Sequence, residues 1–355
     1  MLLRIIDDLR VDVASLEGLF RAARSSDPKV TALVDRFERG LSKVKQGLEA
    51  LAKQCRYAYR ELYTWLLFML QRYRQTIYLL HTVYGLISLR GILRENRNAQ
   101  RSLSLADEYV DSLIGELDVP ADFLIFVTPE SEYASLPIPN VKVFIIILPL
   151  TNLAKPWKWV LLSHELGHLY YQLHRDEILT TALPAIEEEL RDSIRDKEIR
   201  IYMDLWCKYW LQEIVSDIVA VGLCGPAYLK MLVMEATEPK PARVYASHPP
   251  LDARARAQIK YLQLIGAPEE LTRTIERVWK EYREKIDKMA LLPDYLSESI
   301  VERVSNIMAD ILQDPFIVTS WRDFKRVLGK LPDTKGEDLK LLIPAMALKD
   351  IYRGL

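Results

Sequence analysis

The sequence predicts an α+β protein that is mainly helical and carries one small β-sheet near the middle of the chain. Over most of the 355 residues, apolar positions recur at intervals of three and four, the spacing of amphipathic helices. Two short runs, 122–128 and 141–148, are instead rich in β-branched and aromatic residues and are bounded by prolines. That pattern is typical of strands.

The first region, 1–118, has helical spacing with strong breaks only at 25–28 and 96–98. It contains the apolar stretch 62–93, which Arg72 and Arg74 interrupt. A membrane span needs about 20 apolar residues with almost no charge. We therefore interpret the stretch as a buried helix and expect no membrane association.

The second region, 119–265, opens with the two strands and continues with two apolar helices. The first of these helices follows Pro156, a good first-turn residue, and the second covers about 200–222 and stops at Gly225-Pro226. Because charged side chains interrupt 205–229, we interpret it too as buried and not as a span. The proline-rich stretch 237–250 has the composition of a loop.

The third region, 266–355, returns to helical spacing punctuated by prolines. Across the whole chain, 48 basic residues balance 49 acidic ones, so no basic excess predicts a nucleic-acid partner. The three cysteines are far apart and form no C-x-x-C pair, which favours a reducing, cytoplasmic location.

The strongest chemical signal is His164-Glu165-Leu166-Gly167-His168 in the first apolar helix. Residues four apart lie one above the other on a helix, so both imidazoles can reach one Zn²⁺ ion. Glu165 then approaches the water at an open coordination position. The alternative, two histidines packed in an apolar core, leaves Glu165 buried without a partner.

A third protein ligand is needed, and Glu213 is the favoured candidate. Glu213 and Asp217 lie one turn apart on an otherwise apolar helix, where two negative charges are costly unless a positive charge lies opposite. We expect Glu213 to bind the metal and Asp217 to accept the free ring N–H of one histidine. The alternative is an acidic pair that meets Arg or Lys from another helix.

Two other residues compete with Glu213 for the third position. His174 occupies the third-histidine position of H-E-x-x-H-x-x-G-x-x-H, but Tyr171 stands where that pattern needs glycine. If the helix continues, His174 points about 120° away from His168. Glu198 is a more distant option in a charged helix face.

A further string, Ser247-His248-Pro249-Pro250 followed by Arg254, ends the proline-rich loop. Together with H-E-x-x-H and E-x-x-x-D, it resembles gluzincin zinc peptidases, in particular the prenyl-protein and HtpX-like endopeptidases. The resemblance covers about 141–258. It implies a zincin core, an oxyanion-stabilising role for His248, with Tyr245 as substitute, and a role for Arg254 in holding the loop.

The resemblance has limits. Those peptidases have transmembrane helices around the site, so their membrane substrates are not implied for this chain. The string His-Glu-Leu-Gly-His-Leu is also similar to the ImmA/IrrE-type regulatory peptidases, whose downstream acidic motif is not clearly present.

The sequence therefore predicts a zinc-dependent peptidase with one Zn²⁺ per chain and a peptide or protein substrate. Glu165 is the predicted general base. We further expect the strand at 141–148 to hold an extended peptide at the sheet edge. The alternatives are a zinc-binding pseudoenzyme with a closed fourth coordination position and a helical scaffold without metal.

Overall fold

The computed structural model describes most of the chain as two compact units. The first unit comprises Met1–Ser104, Pro120–Glu132 and Leu136–Leu150, and the second comprises Leu105–Val119, Tyr133–Ser135 and Thr151–Leu355. The sheet strands thus group mainly with the N-terminal helices. The described residues are 2–24, 27–55, 62–117, 119–138, 142–193, 196–237, 248–283, 298–312 and 339–352.

The first unit is built on three long helices, α1 (Leu2–Ala22), α2 (Pro28–Cys55) and α3 (Tyr63–Arg94). Helix α1 ends and α2 begins around the predicted break 25–28, and α3 ends near the predicted break 96–98, whereas no strong break was predicted between α2 and α3. Pro28 begins α2, where its missing N–H costs nothing. Their apolar stripes form one core, within which Phe20 stacks on Phe37 at 5.2 Å between ring centroids. The predicted helical character of this region is confirmed.

Helix α3 buries only one of its faces. Its buried side includes Leu66, Leu70 and Ile77, and it packs on α1, α2 and the first strand. Among the described residues, α3 is the one helix long and apolar enough to cross a membrane by length and composition, and 33% of its most apolar window is buried. The expectation of a buried helix over 62–93 therefore holds for one side of α3.

The sheet has three strands, β1 (Leu124–Glu130), β2 (Ala134–Ile138) and β3 (Val143–Pro149), in the order β1-β3-β2. Strands β1 and β3 are parallel. The sequence did not predict β2, which contains Pro137, and a proline is tolerated here because β2 is an edge strand. The expectation that 141–148 offers a free edge to a peptide is wrong, because β3 has a neighbour on each side.

The second unit is helical and contains the predicted motifs. Helix α4 (Arg97–Ile114) ends in it. Its remaining helices are a 3₁₀ turn (Pro156–Leu161), α5 (Leu162–Leu173), α6 (Arg175–Ser193), α7 (Asp196–Leu205), a π-helical turn (Trp206–Trp210), α8 (Leu211–Cys224), α9 (Pro226–Thr237), α10 (Leu251–Leu264), α11 (Glu269–Arg283), α12 (Glu298–Ile311) and α13 (Leu339–Tyr352).

The apolar composition of α8 reflects burial within this unit. Its side chains are buried almost throughout, which confirms that 205–229 holds core helices. Gly225 ends α8 at a positive φ of 58°, a conformation that suits glycine, and Pro226 begins α9, as predicted. Most of the predicted loop 237–250 lies outside the described residues.

Helices α5 and α8 approach each other unusually closely. A Cβ atom at Gly167 of α5 would lie 2.5 Å from the Cα atom and 2.6 Å from the carbonyl oxygen of Ser216 in α8. Only glycine permits this approach, because the obstructing atoms are backbone. The contact holds the two motif-bearing helices against each other.

Candidate metal centre

The two histidines of α5 project from the same helix face. Their ring centroids are 4.7 Å apart and their planes are nearly perpendicular, at 82°. This is the arrangement expected for an i, i+4 pair. Both side chains are largely buried, so their ring nitrogens meet protein groups more than solvent.

Glu213 of α8 faces this pair. Its Oε2 lies 3.3 Å from Nε2 of His164, and its Oε1 lies 3.6 Å from Nε2 of His168. One ligand atom from each of the three residues lies within 4.8 Å of the others. Tetrahedral zinc with bonds of about 2.1 Å separates its ligand atoms by roughly 3.4 Å, so the spacing suits that metal.

Glu213 also has an oxygen that could coordinate a metal. Its Oε2 is buried and accepts no hydrogen bond of normal geometry from the described residues, and Nε2 of His164 lies 3.3 Å from it. A buried carboxylate oxygen needs a cation, which protonated His164 supplies in the metal-free protein and which a metal ion would supply in its place. A π-helical turn directly precedes α8 in the chain, and such turns are frequent beside functional sites. The donor set and the buried oxygen fit a zinc ion.

Ser216 fixes the orientation of the His168 ring. Its Oγ lies 3.1 Å from Nδ1 of His168 and donates its own proton to the carbonyl oxygen of Gln212 at 2.7 Å. The hydroxyl must then accept from Nδ1, which places the ring proton there. Nε2 of His168 then carries the lone pair, and it lies 3.6 Å from Oε1 of Glu213.

Asp217 and Tyr228 hold the His164 ring in the same way. Oδ1 of Asp217 is 2.9 Å from Nδ1 of His164, and the Tyr228 hydroxyl lies 3.0 Å from that nitrogen while donating to Asp217. The Tyr228 ring also stacks parallel to the imidazole at 6.0 Å between centroids. The His164 ring is thus held by polar contacts at its Nδ1 atom and by the parallel Tyr228 ring.

Asp217 is anchored in turn by Arg254 of α10. The guanidinium donates from Nε at 2.6 Å and from Nη2 at 2.7 Å, one bond to each carboxylate oxygen. Burial alone would raise the pKa of Asp217, but Arg254 and then His164 hold it well below its usual range. Asp217 therefore matches the alternative of an acid that meets an arginine from another helix. Glu213 matches it less closely, because Nη2 of Arg254 is 3.9 Å from its Oε2.

The charges in the cluster depend strongly on one another. Burial by itself would lower the pKa of His164, but Asp217 and Glu213 outweigh it and raise the pKa to about 10. Burial and the charge of His164 lower the pKa of His168 to about 4. Burial opposes ionisation of Glu213, yet its contact with His164 brings its pKa down to about 2. Without metal, these shifts place the positive charge of the histidine pair on His164 at neutral pH.

Glu165 is buried next to the histidines. Burial raises its pKa above the usual range of a glutamate, although the charge of His164 and a hydrogen bond from Ser135 of β2 oppose the shift. A raised pKa brings a carboxylate closer to the range useful for proton transfer near neutral pH. The sequence gave no indication that Ser135 would contact Glu165.

His248 lies at the exposed side of the cluster. Its Nε2 is 3.5 Å from Oε2 of Glu213, and its side chain is 58% exposed. Tyr245, the predicted substitute, lies outside the described residues, as does the side chain of Glu198. His174 ends α5, stacks on Tyr170 at 4.3 Å and lies 3.7 Å from Glu177, and it does not belong to the three-residue group.

Four contributors to the site were not predicted from the sequence: Ser135, Ser216, Tyr228 and the close approach at Gly167. Ser216 lies three residues after Glu213, so helical spacing would have placed it on the same face. Tyr228 follows the Gly225-Pro226 break, and its approach to Asp217 depends on how α9 packs back on α8. Helical spacing within one segment does not give that packing.

Comparison of the chain with protein-family models, with curated proteins and with solved structures found no match in any of the three.

Proposed function

We propose that the chain is a zinc-dependent hydrolase of peptide bonds. In this proposal His164, His168 and Glu213 hold one zinc ion, and Glu165 is the general base. Helices α5 and α8 then belong to a zincin core. The substrate is a peptide or protein segment.

The observation that carries the proposal is the convergence of three ligand atoms from two helices. Two Nε2 atoms and a carboxylate face one another at distances close to those of a tetrahedral zinc site. The Nδ1 atom of each histidine has its own fixed hydrogen-bond acceptor on α8. Preset ring orientation of this kind is what metal-binding histidines require.

The residues around the ligands have the properties that hydrolysis needs. Zinc bound by three protein groups supplies a Lewis acid that activates water and polarises a carbonyl. Glu165, with its raised pKa, takes a proton from the attacking water and returns it to the leaving amine. Its hydrogen bond to Ser135 fixes one end of the carboxyl group during that exchange.

His248 is placed to stabilise the oxyanion that develops on the substrate carbonyl. It reaches the cluster from outside the two metal-binding helices, and it stays exposed enough to contact a bound peptide. Removing one oxyanion donor typically lowers kcat by about 10²-fold or more. His248→Ala should therefore lower kcat and leave zinc content unchanged.

A second function, a zinc-binding protein without hydrolysis, is favoured by the same residue. Nε2 of His248 is within 3.5 Å of Glu213, so a small movement would let it become a fourth ligand and close the site. In that case His248→Ala would weaken zinc binding. Zinc affinity of this variant separates the two functions without any substrate.

Peptide hydrolysis itself is tested with a broad peptide library and mass-spectrometric detection of products. The zinc-loaded parent should cleave library members, and Glu165→Gln should keep the zinc and lose cleavage. If both the parent and the variant retain zinc and neither cleaves the library, the result would support the zinc-binding function instead. Retained cleavage in Glu165→Gln would refute the role of Glu165 as base.

A further inference from the structure

Helix α3 exposes a row of two aromatic side chains and one cationic side chain, which we call the α3 face and define as Trp65, Phe68 and Arg72. Their spacing of three and four residues places them on one side of the helix. The exposed fractions are 46% for Trp65 and 56% for Phe68. The opposite side of α3 is buried in the first unit.

The charge of the α3 face has one sign. Helix α3 contains no acidic residue, and Arg72 lies over the Phe68 ring at 5.9 Å. Among the described residues, neither Arg72 nor Arg74 makes an ion pair, whereas Arg90 and Arg94 of the same helix pair with Asp27. In a chain with a net charge of -1, this is a local excess of positive charge.

A cavity at the N-terminal end of α3 has matching chemistry. It measures about 480 Å³ and, among the described residues, is lined by Leu62, Trp65 and Leu66 with Lys53 and Gln54 of α2. Apolar walls beside the cationic Lys53 suit a molecule with an apolar chain and an anionic head. Trp65 belongs to both the cavity and the α3 face.

Helix α3 is long and apolar enough to cross a bilayer, but its charges and its packing favour a position at the surface. Arg72 and Arg74 divide its apolar stretch into uncharged runs of 62–71 and 75–89, which are 10 and 15 residues long. A span needs about 20 residues. One side of α3 is also packed on α1 and α2, so lipid could not surround it.

We propose that the α3 face binds the surface of an anionic phospholipid bilayer. The aromatic side chains enter the headgroup region, where amphipathic rings are favoured. Arg72 contacts lipid phosphates, and the helix lies in the plane of the surface. This proposal is independent of the zinc site.

The test is co-sedimentation of the full chain with vesicles of phosphatidylcholine and phosphatidylglycerol in equal amounts, beside vesicles of phosphatidylcholine alone. The parent should bind the anionic vesicles and lose binding as salt is raised. Trp65→Ala/Phe68→Ala should lower partitioning roughly 5-fold for each side chain, because each is about half exposed. Arg72→Gln should lower it roughly 5-fold.

Matched controls come from α1, which also presents exposed residues in the first unit. Val11→Ala removes an apolar side chain that is 69% exposed, and Arg4→Gln/Arg21→Gln removes two exposed charges. Both should bind within about 2-fold of the parent, since they lie off the α3 face. Circular dichroism melting of each variant verifies its fold.

Three results would overturn the proposal. The first is a parent that does not bind anionic vesicles. The second is an α3-face variant that is folded and binds as the parent does. The third is sedimentation equilibrium without lipid that shows a dimer which Trp65→Ala/Phe68→Ala dissociates, because a second copy of the chain would then cover the α3 face.

Discussion

Gly167→Ala probes the contact that sets the distance between the two metal-binding helices. The added methyl group would lie 2.5 Å from the Ser216 Cα atom and 2.9 Å from its carbonyl carbon. Carbon atoms pack at about 3.5–4.0 Å, so α5 and α8 must separate by about 1 Å. No side-chain rotation relieves the clash, because the atoms belong to the α8 backbone.

The expected cost follows from two opposing effects. Overpacking in a core costs about 1–3 kcal/mol, and a backbone clash belongs at the upper end of that range. The better helix propensity of alanine returns up to about 1 kcal/mol. We expect a net loss of about 2 kcal/mol in the free energy of unfolding, together with a loss of zinc affinity of more than about 10-fold, because the ligands on the two helices move apart.

The assay is urea unfolding followed by circular dichroism, combined with zinc titration against a competing chelator. Gly85→Ala is the matched control, since Gly85 also lies inside a helix but a Cβ atom there meets nothing within 4 Å. This control should be as stable as the parent or more stable by up to about 1 kcal/mol. If Gly167→Ala unfolds at the same urea concentration as Gly85→Ala and binds zinc like the parent, the close approach of α5 and α8 is refuted.

The remaining predictions concern the charges and hydrogen bonds of the site. Asp217→Asn should lower zinc affinity about 10–100-fold, because it disturbs the ring orientation of His164. Tyr228→Phe should lower zinc affinity less, since Asp217 still holds the ring. Chelator competition measures both affinities, and equal affinity in Asp217→Asn and the parent would refute the positioning role of Asp217. Apparent zinc affinity should rise about 10-fold per pH unit between pH ~6 and ~8, because the metal must displace the proton that His164, with its pKa of about 10, holds in the metal-free protein. A flat profile, after correction for chelator protonation, would show that His164 is already neutral.

Helix boundaries could be predicted from the sequence where a local signal exists. Pro28 and the Gly225-Pro226 pair mark helix ends through their own backbone restrictions, and the structure places the ends there. Strand β2 carries the opposite signal, since Pro137 argues against a strand unless the strand is at an edge. Edge position depends on the strand order of the whole sheet, which short-range pattern does not contain.

The candidate site could likewise be predicted only where the signal is local in the sequence. The i, i+4 spacing of His164 and His168 was enough to place both rings on one face, and the cost of a buried acid pointed to Glu213. The partners Tyr228 and Ser135 come from segments whose approach depends on tertiary packing. No residue spacing in the sequence predicts those contacts.

The central claim is tested most directly by the zinc-to-protein ratio of three purified proteins after zinc loading and dialysis: the parent, Glu213→Ala and His174→Ala. The third-ligand assignment predicts one zinc per chain in the parent and in His174→Ala, and almost none in Glu213→Ala. His174 is the matched control because it caps the helix that carries the histidine pair, while its ring stacks on Tyr170 and faces Glu177. A folded Glu213→Ala that keeps a full equivalent of zinc, or a parent that holds none, would contradict the account.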